Sequence, residues 1–138
     1  MAARDRYHDH IKDALEKDGW AITHDPYIIE SQGMTYQIDL GAEKIIAAQK
    51  DEIKIAVEVK SFLKDSTVSE FHTALGQFLN YKIGLEENER DRVLYLAIPK
   101  VAFYRIKQLP LLMKSIERFQ VKIIVFDIDE KTILKWIQ

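Results

Sequence analysis

Strict alternation from residue 53 to residue 60 is the strongest constraint in this chain. Ile53, Ile55, Val57 and Val59 take the odd positions and Lys54, Ala56, Glu58 and Lys60 the even ones. That is the period of a strand with one apolar face. Glu58 and Lys60 must then project from the same side. Upstream, Tyr36-Gln37-Ile38-Asp39-Leu40 reads as another strand, with Ile38 and Leu40 on its apolar face and Asp39 sharing the opposite face with Gln37. If the two strands pair with a small offset, two carboxylates and one ammonium converge at one end of a sheet.

Such a convergence has a chemical use. Hydrolysis of a phosphodiester at neutral pH needs hard oxygen ligands for a divalent cation, and a positive group to steady the attacking water or the developing charge. Asp39 and Glu58 supply the ligands and Lys60 the charge. The same residues also fit a solvated strand face, where Glu and Lys commonly alternate. Further on, Thr67-Val68-Ser69-Glu70 fits a T-x-x-E capping box. It predicts a helix from about Val68 to Leu85 with an apolar stripe of Phe71, Leu75, Phe78 and Leu79. Gln77 and Tyr81 form an i,i+4 pair beside that stripe, a spacing that by itself equally marks a boundary between core and solvent.

An Asp, then Glu-x-Lys, then Gln-x-x-x-Tyr on the following helix resembles the PD-(D/E)xK nuclease superfamily, in particular its branch with a RecB-like Q-x-x-x-Y helix. Longer stretches narrow the resemblance: Asp18-Gly19-Trp20, residues 38–43, 56–63, 74–78 and 91–96 look like the XisH family, the fdxN element excision controlling factors of cyanobacteria. The resemblance implies a restriction-endonuclease-like αβββαβ core. It implies a part in programmed site-specific DNA excision beside a site-specific recombinase and an XisI-like companion protein. In its enzymatic form it implies a Mg²⁺-dependent endodeoxyribonuclease, with Mg²⁺ or Mn²⁺ held by Asp39, Glu58 and the backbone carbonyl of Val59. Lys60 would position the water, and Gln77 and Tyr81 would orient Lys60, the metal shell or a backbone phosphate. His8 joins the candidate site at second rank because superfamily members bring an acidic or other polar group to the metal from their first helix, with a capping or surface role as its other reading. The superfamily's proline before the first Asp is replaced by Ile38. The family's name describes a genetic role and not a reaction, so a second reading stays open: a non-catalytic DNA- or partner-binding accessory factor.

With 138 residues, 47% of them hydrophobic, the chain can bury one sizeable core, and a single domain over residues 1–138 is expected. Zero cysteines exclude disulfides and thiolate metal sites and fit a reducing cytoplasm. No apolar run approaches a membrane span, so a cytoplasmic protein without membrane association is expected. A net charge of −2 weighs against a free-standing DNA binder, since duplex affinity rests on neutralising phosphates. Lys44, Lys50, Lys54, Lys60 and Lys64 are expected to gather around the site, with Glu86, Glu87, Glu89 and Asp91 elsewhere; an ordinary mixed surface is the other reading.

The remaining pattern orders the elements. Tyr7, Ile11, Ala14 and Leu15 keep helical period, giving a helix over roughly residues 3–18 with Gly19 at its stop. Short strands follow around Ile22 and Tyr27–Ile29, with Asp25-Pro26 as the turn between them and Ser31-Gln32-Gly33 closing the second. Strands at 35–40, 43–49 and 52–60 read as a meander whose polar turn is Gln49–Glu52. After the long helix, Val93–Ile98 reads as a buried central strand ended by Pro99. Helical pieces from Val101 to Phe119, interrupted by Pro110, lead to strands at 122–126 and 132–137 around Asp127–Glu130. The order predicts an α/β fold class, an α+β mixed sheet flanked by helices. Gly41 and Gly76 are expected either to allow close approach near the site or to serve packing. His24 and His72 are read as structural, and Asp127 and Asp129 as turn residues. Edge strands carrying Ile123, Val125, Ile133 and Trp136 predict pairing with another chain, as a homodimer or with an XisI-like partner.

Overall fold

The structure, a computed structural model, describes residues 5–46 and 51–138. Helix α1 (His8–Lys17) is followed by strands β1 (Ala21–His24), β2 (Tyr27–Ser31), β3 (Met34–Ile38), β4 (Leu40–Ile46) and β5 (Asp51–Val59). Then come α2 (Thr67–Asn88), β6 (Arg92–Pro99), α3 (Lys100–Lys107), α4 (Pro110–Arg118), β7 (Ile123–Asp127) and β8 (Thr132–Ile137). Six strands form one sheet in the order β1-β4-β5-β6-β7-β8, while β2 and β3 form a separate hairpin. β5, β6 and β7 are parallel, as helical crossovers require, because α2 joins the first pair and α3 with α4 the second. The outer pairs β1–β4, β4–β5 and β7–β8 are antiparallel. Within this sheet the chain runs helix, three strands, helix, strand, which is the mixed-sheet architecture the sequence predicts.

The sheet is buried on both faces. Ile11, Ala14 and Leu15 of α1 pack on Ile55, Val57 and Val59 of β5, together with Tyr95 and Ala97 of β6. Opposite them, Leu94, Leu96 and Ile98 of β6 meet Phe71 and Phe78 of α2, with α3, α4 and the β2–β3 hairpin. β6 therefore presents apolar side chains in both directions, as a central parallel strand must. The hairpin turns at Gln32 and Gly33, both at positive φ, the geometry of a tight two-residue turn. Its Ile29 lies so close to α2 that a Cβ on Gly84 would sit 3.3 Å from it.

Four expectations are corrected. The stretch 35–60 is no meander: β3 pairs with β2, from Tyr27↔Ile38 to Ser31↔Met34, and the chain breaks at Asp39 before β4 joins β1 and β5. In consequence Ile38 and Leu40 enter the cores on opposite sides of the sheet, where an unbroken strand would put both on one face. α1 begins at His8, because Asp5 is committed to the preceding turn: its carbonyl accepts from the His8 N–H and its Oδ1 from the Tyr7 N–H. α2 is capped one residue earlier than its T-x-x-E suggests, with Ser66 Oγ accepting from the Ser69 N–H, and runs to Asn88. Ile123 and Val125 offer no edge, since β7 lies inside the sheet and both are buried; the free edge on that side is β8. Of the predicted Gln49–Glu52 turn, Gln49 and Lys50 lie outside the described residues, and Asp51 and Glu52 already belong to β5. No helix among the described residues is long and apolar enough to cross a membrane.

Candidate metal-dependent active site

The break at Asp39 builds the site. Leu40↔Val57 is the last pair between β4 and β5, so the Val59 N–H, two residues on, has no ladder partner from β4 and donates instead to Asp39 Oδ2 at 2.8 Å. In return the Asp39 N–H donates to Glu58 Oε1 at 3.2 Å. A strand residue's N–H and C=O leave by the same edge, so the Val59 carbonyl also opens toward Asp39. Lys60 is pinned just beyond β5 by its N–H, which donates to the Ala97 carbonyl at 3.0 Å, and its Nζ lies 3.6 Å from Glu58 Oε2. Two residues further, Phe62 adopts a φ of 55°, rare for a bulky side chain. Its carbonyl accepts from Arg105 of α3 at 2.7 Å.

Burial sets the electrostatics. Glu58 is only 7% exposed; that burial, reinforced by the Asp39 charge, pushes its carboxyl up to about 8, with Lys60 pulling the other way. Asp39 is also raised, by burial above all, against the opposing effects of the Val59 N–H and His8. At neutral pH the pair therefore shares a proton, because two buried carboxylates this close cannot both ionise. Tyr81 is pushed up to about 12, first by burial and then by Glu58 and Asp39, which keeps its phenol a donor beside them. Its ring meets Tyr36 of β3 edge-on, centroids 5.5 Å apart. One turn earlier on the same helix, Gln77 has its Oε1 buried without a hydrogen-bond partner.

His8 is 3% exposed and bonds Asp25 Oδ1 through Nε2 at 2.8 Å, while its Nδ1 is buried without a partner and its charge is felt at Asp39. Sequence reasoning missed Asp25 and Asp5. Asp25 holds His8 and Lys12, and Asp5 Oδ2 accepts from both the Ser61 N–H and its hydroxyl, close enough to raise Asp39. Neither has a local motif, since each acts on a partner distant in sequence.

Lys44 and Lys54 do not crowd the site. Lys44 binds the Asp18 carbonyl at 2.8 Å and stacks over Trp20, and Lys54 lies 3.6 Å from Glu89 and 3.7 Å from Asp91. Lys54 is roughly 20 Å from Lys60 at strand rise, so the acid expected elsewhere sits beside it. Gly41 is required for close approach, since a Cβ there would meet His24 and Tyr27 at 3.0 Å, whereas Gly76 faces open space.

Among the described residues, no group of three or more His, Cys, Asp or Glu is gathered for a metal. Two carboxylates and a carbonyl at one strand end suit Mg²⁺, which keeps several waters and takes one or two carboxylates; they do not suit a closed tetrahedral zinc site. The proton shared by Asp39 and Glu58 marks a place where a divalent cation would relieve like charge.

The family described as XisH protein matches residues 1–134. A crystal structure of an XisH family protein from Nostoc punctiforme is similar with a TM-score of 0.88 and 44% identity, over 97% of this chain and 100% of the other. A fdxN element excision controlling factor protein from Anabaena variabilis is similar with the same TM-score and 47% identity, over 98% and 100%. No curated protein matches the chain.

Proposed function

The chain belongs to the XisH family, and from that premise we propose that it is a PD-(D/E)xK-type nuclease-fold protein that hydrolyses DNA phosphodiesters during programmed site-specific excision. The convergence of Asp39 and Glu58, joined by the Asp39 N–H donating to Glu58 and the Val59 N–H donating to Asp39, with Lys60 3.6 Å from Glu58, carries this reading. Asp39, Glu58 and the Val59 carbonyl would hold Mg²⁺ or Mn²⁺; when bound, the cation supplies Lewis-acid polarisation of the scissile phosphate. The chain's own residues do the rest. Lys60 orients the attacking water and stabilises the charge that grows on the phosphorane. Tyr81 would donate its phenol O–H toward that charge, or accept from the Lys60 ammonium through its hydroxyl oxygen, and Gln77, whose Oε1 is buried without a hydrogen-bond partner, would orient Lys60 or a backbone phosphate. His8, held by Asp25, favours the ionised form of Asp39. DNA is the substrate, with an XisI-like companion and a site-specific recombinase as partners, and a homodimer through the β8 edge as the assembly.

A second reading, a non-catalytic accessory factor for the recombinase, is favoured by one observation: Lys44 and Lys54 are spent on ion pairs remote from the site in a chain of net charge −2. Nicking of supercoiled and branched DNA in Mg²⁺ or Mn²⁺, with and without the companion, separates the two. Cleavage that disappears with chelator supports the nuclease. Mn²⁺ uptake by calorimetry with no cleavage in any arm leaves the accessory role. Light scattering that shows a strict monomer indifferent to the companion removes the assembly claim.

A further inference from the structure

β5 and β6 are parallel and α2 joins the end of one to the start of the next, so the last turns of α2 lie beside the first residues of β6 and the junction of α4 with β7. Two cavities open there. One, of about 170 Å³, is floored by Phe78, Leu85 and Leu94. The other, of about 630 Å³, is floored by Met113, Ile116 and Ile137. Gln120 and Lys122 line both, so the two adjoin and form one groove. It lies toward β7, whereas the carboxylate pair lies toward β4, and none of Glu58, Lys60, Gln77 and Tyr81 lines either cavity.

The rim of this groove is cationic and uncommitted. Lys82 and Arg90 stand at the first cavity, Lys114 at the second and Lys122 between them, against two acids, Glu86 and Glu117. This surplus occurs in a chain of net charge −2, in which Lys44, Lys54, Lys100 and Lys131 are all paired with carboxylates. Among the described residues, Lys82, Lys114 and Lys122 have no ion-pair or hydrogen-bond partner, and Arg90 donates only to the Glu86 carbonyl, at 3.4 Å. Lys82 and Lys122 are half-buried, which sets their charge at the margin of the apolar floor and not out in solvent. Gln120 follows the C-cap of α4 at a φ of 53°, a place that helices ordinarily give to glycine. A side chain is thus kept between the two cavities, and its amide both donates and accepts, as pairing with a peptide backbone requires.

Charge and shape together select the occupant. A phosphodiester backbone answers the cations but leaves the apolar floor uncovered, and a purely apolar segment covers the floor but desolvates the cations without pairing them. A polypeptide segment with apolar side chains flanked by carboxylates satisfies both. We propose that this groove docks an acidic, apolar-bearing segment of a partner protein, with apolar side chains on the floors of the two cavities and carboxylates on Lys82, Arg90, Lys114 and Lys122. The docking uses no residue of the carboxylate site, so it stands or falls apart from the nuclease reading.

The probe is a short fluorescein-labelled peptide alternating glutamate with leucine and phenylalanine, its anisotropy followed during titration with the full chain in the absence of metal. Saturable binding is expected. Glutamine in place of glutamate, or serine in place of leucine and phenylalanine, should each weaken it at least about tenfold. Lys82→Glu and Lys122→Glu should each weaken the parent peptide at least about tenfold, because like charges then face one another, with an unchanged circular dichroism spectrum. Should a reversal disturb folding, Lys82→Gln and Lys122→Gln test the same contacts and should weaken binding in the same direction. A labelled DNA duplex is titrated in parallel. No saturable peptide binding, equal binding of the serine peptide, or peptide binding unmoved by the lysine variants overturns the proposal. Duplex binding that the lysine variants abolish while peptide binding persists also overturns it, and assigns the groove to phosphate.

Discussion

Asp39 and Glu58 meet across the strand break: the Asp39 N–H donates to Glu58 Oε1 at 3.2 Å, and Asp39 Oδ2 accepts from the neighbouring Val59 N–H at 2.8 Å. The arrangement has a cost in the absence of a cation, because burial raises both carboxyls and the Asp39 charge raises Glu58 further. Asp39→Asn and Glu58→Gln should therefore each abolish Mn²⁺ binding in calorimetry while leaving the thermal midpoint equal or higher. If both variants unfold, the pair is structural and the site claim fails.

The same pair fixes a pH dependence. Glu58 is pushed up to about 8 in the folded chain, against 4.5 for an ordinary glutamate, so between those values the native state holds a proton that the unfolded chain has released. Stability must then fall as pH rises through that window, by at most about 1.4 kcal/mol per unit from this group, and level off above it. Urea denaturation of the metal-free protein at pH 5 to 9 should show this decline, and Glu58→Gln should flatten it. Added Mn²⁺ should reverse the decline at the alkaline end, because a cation replaces the shared proton. A wild-type profile that is flat from 5 to 8 contradicts the shared proton.

How much of this was legible depended on the range of the forces involved. The alternation at 53–60 and the Gln77/Tyr81 spacing are local, and both place side chains where the periodicities require. The break at Asp39 is not local: residues 35–40 read as one strand, and only the competition of β2 for β3 and of β5 for β4 splits it. Asp5 and Asp25 find their partners 56 and 17 residues away, so no spacing rule points to them. The cap of α2 slipped by one because Ser66 and Thr67 are both competent caps. The lysines were misplaced for a geometric reason, since neighbours in a strand sequence recede by over 3 Å per residue.

Arg92 supplies a stability test remote from the site. Its guanidinium is 1% exposed and ion-pairs with Glu43 and Glu89 while donating to the Ile55 carbonyl at 2.9 Å. Glu89, drawn down to about 2 chiefly by the hydrogen bond it accepts from Arg92, also accepts from the Tyr27 hydroxyl. Removing the cation strands two carboxylates beside an unsatisfied carbonyl, so Arg92→Leu should cost about 3–5 kcal/mol in denaturant unfolding. The depressed Glu89 gives the opposite pH sign to Glu58: its contribution is present above about 4.5 and is lost as pH falls toward 2. A loss under about 1 kcal/mol would show that the network is dispensable.

Lys60→Ala separates chemistry from binding. The substitution keeps Asp39, Glu58 and the Val59 carbonyl, so Mn²⁺ affinity should be retained. It also removes the charge that draws Glu58 down, so the proton released on Mn²⁺ binding should be held to higher pH than in the wild type. If Lys60 acts mainly in the transition state, cleavage should fall at least about a hundredfold with little change in DNA affinity, the scale of losing one preorganised electrostatic donor. If it is only a phosphate contact, affinity falls instead and the salt dependence of binding becomes shallower by about one charge. Single-turnover cleavage and a salt titration on the same variant distinguish these outcomes, because an effect on the transition state leaves the salt slope intact and loss of a phosphate contact cannot.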